Sequence, residues 1–144
     1  SHPDKVAVWA NYRPGTVGII KSGNEEFLPD NFKGQLDHCQ IYAALTTAPI
    51  EIRTNPKNRK LFPVKSGDED YDKVIAYGQI TWTDAFGPDG ALQRVEIPLE
   101  YRDRAATDKP LYLVIVVSAS KYGDFFSGSD KSVVYLDDFE LVYE

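Results

Sequence analysis

Apolar and polar residues alternate with a period of two along most of this chain, and Val, Ile, Thr, Tyr and Phe fill the alternating runs. Lys5–Arg13 places Val6, Val8, Ala10 and Tyr12 on one face and Ala7, Trp9, Asn11 and Arg13 on the other. Cys39–Thr46 does the same, with Cys39, Ile41, Ala43 and Leu45 opposite Gln40, Tyr42, Ala44 and Thr46. Val74–Thr83 sets Val74, Ala76, Gly78, Ile80 and Trp82 against Ile75, Tyr77, Gln79, Thr81 and Thr83. In Leu92–Tyr101, Val95, Ile97, Leu99 and Tyr101 point one way, while Arg94, Glu96 and Glu100 point the other. Leu111–Val117 is apolar without a break, which predicts a central strand buried on both faces. Val133–Tyr143 is the last run.

Turn-rich stretches separate these runs at Pro14–Gln35, Thr54–Asp72, Asp84–Gly90 and Arg102–Pro110. No segment sustains a helical face, so short 3₁₀ turns are the only helix expected. The prediction is an all-β, antiparallel β-sandwich of two sheets. The loop at Pro14–Gln35 is long for a compact domain, and loops of that length carry function or cover an edge.

A length of 144 residues predicts one domain. Ser1-His2 reads as an expression scar, leaving 3–144 as the sandwich, and the absence of Met reads as a fragment or processed product of a larger chain. The net charge of −6 and a pI near 4.9 argue against nucleic acid and against anionic membranes. A single cysteine, Cys39, excludes an internal disulfide. No apolar run approaches the roughly 20 residues of a membrane helix.

The chemistry-bearing residues narrow the field further. His2 and His38 are the only histidines, and with His2 read as part of the expression scar there is no His cluster for zinc and no Ser-His-Asp set with a spare His. His38 and Cys39 are neighbours in a strand-like run, so they point to opposite faces and form no dyad. Asp68, Asp70 and Asp72 have the odd spacing of a calcium loop, but Lys73 and Gln79 stand where that loop needs Gly and Glu, which leaves a solvated acidic loop. A carboxylate pair for glycoside hydrolysis depends on geometry that sequence hides.

Three aromatic residues share strand faces with amides and hydroxyls: Trp9 with Asn11 and Arg13, Tyr42 with Gln40 and Thr46, Tyr77 with Gln79 and Thr81. A ring of this kind covers the apolar face of a sugar while its neighbours bond the hydroxyls. The candidate carbohydrate-binding residues are therefore Trp9, Asn11, Arg13, Tyr42, Tyr77 and Gln79. The alternative is that the rings pack beneath a loop or against a partner domain. Tyr122, Phe125 and Phe126 form a second aromatic group, expected to plug one end of the sandwich. Asp137 and Asp138 are consecutive in a strand, so one faces inward unless a bulge re-aims it. Either Asp137 is a ligand of a structural calcium, or the two carboxylates accept N–H bonds at a strand irregularity and tie down the Tyr122–Ser132 loop. No other cofactor is expected.

The run from Ser118 to Tyr143, containing Tyr122-Gly-Asp-Phe-Phe-Ser-Gly and Val134-Tyr-Leu-Asp-Asp-Phe-Glu-Leu, resembles the C-terminal signature of the putative carbohydrate metabolism domain (PCMD) family of exported Bacteroides-type proteins. Trp9-Ala-Asn-Tyr-Arg-Pro-Gly15 is similar to its entry strand, and Asp37-His-Cys-Gln-Ile-Tyr42 to its Asp-x-Cys-x-Ile-Tyr strand. Asp130-Lys131 and Asn11 depart from the family pattern. The resemblance implies a jelly-roll sandwich at the C-terminus of a larger secreted protein or lipoprotein, at the surface or in the periplasm of a glycan-using Gram-negative bacterium. It also implies similarity to carbohydrate-binding modules. The expected function is a non-catalytic module that binds a polysaccharide or oligosaccharide during glycan capture. The alternative is an assembly or adhesion domain that docks an upstream domain of the same chain or another surface protein. A glycoside hydrolase is the third reading.

Overall fold

A computed structural model describes residues 2–50, 53–55, 58–60, 70–102, 109–125 and 127–144. Strand β1 (Lys5–Arg13) lies between β6 (Gln93–Pro98) and β9 (Val133–Val142) in a three-stranded antiparallel sheet. A second antiparallel sheet has the order β7 (Glu100–Tyr101), β5 (Val74–Trp82), β2 (Cys39–Thr46), β8 (Tyr112–Ser118). Short strands β3 (Arg53–Asn55) and β4 (Asn58–Lys60) form a separate hairpin inside a stretch expected to hold only turns. The helices are the expected short 3₁₀ turns, at Glu25–Phe27, Tyr71–Lys73 and Gly123–Phe125. The chain is thus the all-β sandwich that its alternation predicts.

The inner faces read from the sequence meet in the core. Val6, Val8, Ala10 and Tyr12 of β1 are buried, as are Cys39, Ile41, Ala43 and Leu45 of β2. Val6 packs with Ala43, Leu45, Ala76 and Leu99 at one end, and Tyr12 with Cys39, Ile41 and Ile97 at the other. Burying each Val, Leu or Ile among them stabilises the fold by about 1.5–3 kcal/mol, and no single strand could bury that face alone.

Three expectations are corrected. Leu92–Tyr101 is not one strand: at Pro98–Leu99 the chain leaves the three-stranded sheet as β6 and enters the four-stranded one as β7. The Leu99 N–H donates to the Asp4 carbonyl at 2.9 Å at this crossing. The period of two survives the switch because both segments keep the same face inward. Leu111–Val117 is not a central strand. β8 lies at the edge of its sheet among the described residues, and Leu111, just outside it, is 68 % exposed. Its second apolar face joins Tyr42, Ile50 and Tyr77 on the outside of the sheet, so two apolar faces need not mean two flanking strands. Finally, Val74 does not share the inner face. The pairing shifts between Leu45↔Ala76 and Thr46↔Val74, so Ile75 is an extra residue and Val74 turns to the outer cluster with Ala44.

Candidate functional site

The outer face of the three-stranded sheet carries a groove of about 520 Å³ lined by Asn11, Arg13, Gly90, Ala91, Leu92, Tyr135, Leu136 and Asp137. The strand register explains this assembly. Asn11 lies opposite Tyr135 and Trp9 opposite Asp137, so Trp9 and Tyr135 are diagonal neighbours on one face. Tyr135 is 60 % exposed and Trp9 40 % exposed. Beyond Trp9 the same face becomes a charged lattice. Arg94 bonds Glu96 at 3.0 Å and reaches across β1 to Glu140 at 3.9 Å, while Lys5 meets Glu96 at 3.4 Å and Glu144 at 2.7 Å. Lys5 and Arg94 hold the Glu96 carboxyl below its usual range, with the Arg94 hydrogen bond as the main cause.

Asn11 and Arg13 are anchors before they are contacts. Asn11 is only 5 % exposed, and its Nδ2 donates to the carbonyls of Pro88 and Ala91, each at 2.7 Å. Arg13 donates through Nη2 to the Gly87 carbonyl at 2.8 Å and pairs with Asp89 at 3.0 Å. Together they hold the turn between β5 and β6 that forms one bank of the groove. Truncating Asn11 leaves two carbonyls to find new partners, so Asn11→Ala should destabilise the fold by about 1–2 kcal/mol in urea denaturation. A loss below about 0.5 kcal/mol would show that the turn stands without it.

Tyr42, Tyr77 and Gln79 lie on the other sheet. Tyr42 faces Gln79 across β2 and β5, and Ala44 faces Tyr77. Both tyrosines pack with Ala44, Val74, Ile50, Val114 and Val116, and Gln79 accepts a bond from Gln40 at 3.1 Å. The six candidate binding residues are therefore divided between two opposite outer faces and cannot hold one sugar together. Sequence alternation assigns a residue to a face of its own strand but does not say which strands are neighbours.

Asp137 and Asp138 are both exposed, because the register shift between Ala7 and Trp9 inserts an extra β9 residue. Asp138 takes the left-handed conformation, with φ of 54°, and donates its N–H to Asp137 Oδ1 at 2.9 Å. A bulge thus removes the cost of an inward carboxylate. Among the described residues, no three acidic, His or Cys side chains gather at a common point around Asp137 or elsewhere. Nor does this pair tie down the loop after β8.

That role belongs to Asp37, two residues before β2. Asp37 is fully buried. Its Oδ2 accepts from Ser120 Oγ at 2.6 Å, Ser132 Oγ at 2.8 Å and the Ser129 N–H at 2.9 Å. Oδ1 accepts the His38 N–H at 2.9 Å. Gly128, with φ of 153°, lets the loop backbone approach, since a Cβ there would lie 3.2 Å from the same carboxylate. The available signal was a lone Asp before β2 and a serine-rich loop before β9.

The end of the sandwich is closed by rings, as expected. Phe32 meets His38 and Tyr122 edge-on at 5.2 and 5.1 Å, and Phe27 stacks on Phe125 at 4.9 Å. Phe126, the third member of the predicted group, lies outside the described residues. Burial, with Lys121 nearby, lowers the His38 pKa, and burial with Asp37 pushes the Cys39 thiol up to about 12. Cys39 is buried in the core, and His38 belongs to the ring cluster that closes this end.

The family model described as "Putative carbohydrate metabolism domain" matches residues 1–142. Among solved structures, a putative glycoside hydrolase from Bacteroides vulgatus aligns with a TM-score of 0.58 at 23 % identity, covering 98 % of this chain and 52 % of that one. A putative glycoside hydrolase from Bacteroides thetaiotaomicron gives 0.59 at 22 % identity, covering 99 % of this chain and 38 % of its own. The likeness is one of fold, and the chain spans about half or less of each of these structures. No curated protein matches the chain.

Proposed function

The chain belongs to the putative carbohydrate metabolism domain family, and we propose that within it this sandwich is a non-catalytic carbohydrate-binding domain. The observation that carries the proposal is the pairing of two exposed rings, Trp9 and Tyr135, with a groove on one sheet face. Exposed Trp and Tyr rings present a flat apolar surface to the C–H face of a pyranose, and Leu92 extends that surface. Arg13 and Asp137 supply a donor and an acceptor for hydroxyls. A glycosidase of the usual design needs two carboxyls flanking the bond, whereas among the described residues that line the groove Asp137 is the one carboxylate. Export to the cell surface or periplasm is part of the same proposal, resting on the family resemblance.

Trp9 and Tyr135 are the test. Replacing either with Ala should weaken binding to a polysaccharide captured from a glycan array by at least about tenfold, as for other aromatic anchors. The melting temperature should move by no more than about 2 °C, because half-exposed rings contribute little to the core. Tyr42→Ala should instead lower stability and leave affinity unchanged, since Tyr42 packs on the opposite sheet. Equal affinity in Trp9→Ala, Tyr135→Ala and wild type would end this reading.

A second reading, docking against a neighbouring domain, is supported by the exposed Leu111 and Tyr112 at the β8 edge. Leu111→Asp would leave glycan affinity intact and abolish domain contact if that edge is the interface.

A further inference from the structure

We infer that the groove selects neutral glycans against polyanionic ones, and that Asp137 is the residue that sets this preference; the inference rests on the carbohydrate-binding reading above. It follows from the charge arrangement on this one sheet face. Among the described residues, each cation carried by the strands of this sheet already has a carboxylate: Arg13 has Asp89, Arg94 has Glu96 and Glu140, and Lys5 has Glu96 and Glu144. Asp137 and Asp138 have no cationic partner among the described residues; the Asp138 N–H on Asp137 Oδ1 is neutral. The face that would meet a sugar chain therefore presents surplus negative charge beside its two rings.

The bulge makes that charge a fixed one. With Oδ1 held by the Asp138 N–H at 2.9 Å, the Asp137 carboxylate is oriented, and it lines the groove next to Tyr135 and Leu136. A carboxylate only accepts hydrogen bonds, so it suits sugar hydroxyls, which can donate. A uronate or sulfate on the sugar has no proton to offer and meets like charge at short range, within the distance at which physiological salt screens poorly. Arg13 does not cancel this effect. It is shared among Asp89, the Gly87 carbonyl and its own strand, and it lies opposite Val133 in the register, two residues along β9 from Tyr135. Discrimination of this kind is the repulsive half of specificity.

The experiment starts from a neutral polysaccharide that the protein binds, such as a glucan, mannan or galactan. Its primary hydroxyls are then oxidised to carboxylates, and affinity electrophoresis compares the two polymers. Wild type should bind the oxidised form at least about tenfold more weakly at low salt, and the gap should shrink as salt is raised. Asp137→Asn keeps the acceptor for the Asp138 N–H and removes the charge, so it should recover most of the lost affinity. Equal binding of both polymers by wild type overturns the inference, as does an oxidised polymer that Asp137→Asn binds no better. Binding to no polysaccharide at all overturns the carbohydrate-binding reading itself. That outcome is distinct, because it appears before any oxidised polymer is used.

Discussion

Asp37→Ala should destabilise the protein by about 3–5 kcal/mol, the cost expected when several buried donors lose a charged acceptor at once. Four donors converge on this fully buried carboxylate: two hydroxyls, from Ser120 and Ser132, and two backbone N–H groups, from His38 and Ser129. The hydroxyls can rotate toward other acceptors, but the Ser129 N–H is fixed by the chain. For a domain of this size the loss corresponds to a fall in melting temperature on the order of 10 °C. Asp37→Asn keeps the shape and removes the charge; its amide must present a donor to at least one of the four. About half the loss is expected for that variant. Hydrogen exchange separates a local from a global effect. In Asp37→Asn the Ser129 amide should exchange faster at temperatures where β1 and β2 remain protected. A melting temperature within about 2 °C of wild type for Asp37→Ala would show that the loop holds itself in place.

The consequence reaches the groove through β9. Ser132 immediately precedes Val133, the first residue of β9, and Tyr135 stands two residues further along. Ser132 Oγ also accepts the Gly15 N–H at 3.1 Å, just beyond the end of β1. The Asp37 network therefore fixes where β9 begins relative to β1, which sets Tyr135 opposite Asn11. On the proposed carbohydrate-binding reading, a weakened latch should therefore reduce affinity as well as stability, although Asp37 does not line the groove.

The faces of β1 and β2 were legible in the sequence because strand alternation is local. Val6, Val8, Ala10 and Tyr12 needed only a period of two to be assigned to the core. Two consecutive aspartates in a strand did mark the irregularity at Asp137 and Asp138, as one of two alternatives. The bulge at Ile75 was not legible, since an inserted residue changes pairing without changing composition. Tyr135 was missed for a related reason. It alternates with the inward Val134 and Leu136 and so faces outward, but only the pairing of β9 with β1 brings it to Trp9 and Asn11. Asn11 and Arg13 look like free polar partners in sequence, whereas both hold the turn from Gly87 to Ala91. Asp37 was invisible as a latch because three of its four donors come from a loop more than 80 positions away.

Gly78→Ala should cost about 2–4 kcal/mol, although Ala in place of a strand Gly ordinarily gains up to about 1 kcal/mol from the unfolded chain. The sign is decided by where the new methyl would go. Gly78 lies in the middle of β5 opposite Ala43, facing the segment that passes from β6 to β7. A Cβ built there would lie 2.1 Å from the Pro98 carbonyl oxygen, 3.0 Å from Ile97 Cγ2 and 3.1 Å from the Pro98 carbonyl carbon. Two of those three atoms are backbone, so no rotamer change relieves the contact. Relief requires the crossing to lift off β5. That movement would disturb the bond from the Leu99 N–H to Asp4 and the packing of Ile97, which is fully buried against Tyr12 and Ile41. Urea denaturation measures the loss, and faster exchange of the Leu99 amide would locate it at the crossing. A Gly78→Ala protein as stable as wild type would mean that the sheets can separate here at little cost. Because the crossing faces the core rather than the groove, the folded fraction of the variant should, on the proposed carbohydrate-binding reading, keep the full affinity of the wild type. Loss of affinity at temperatures where Gly78→Ala remains folded would instead show that the spacing of the two sheets shapes the groove.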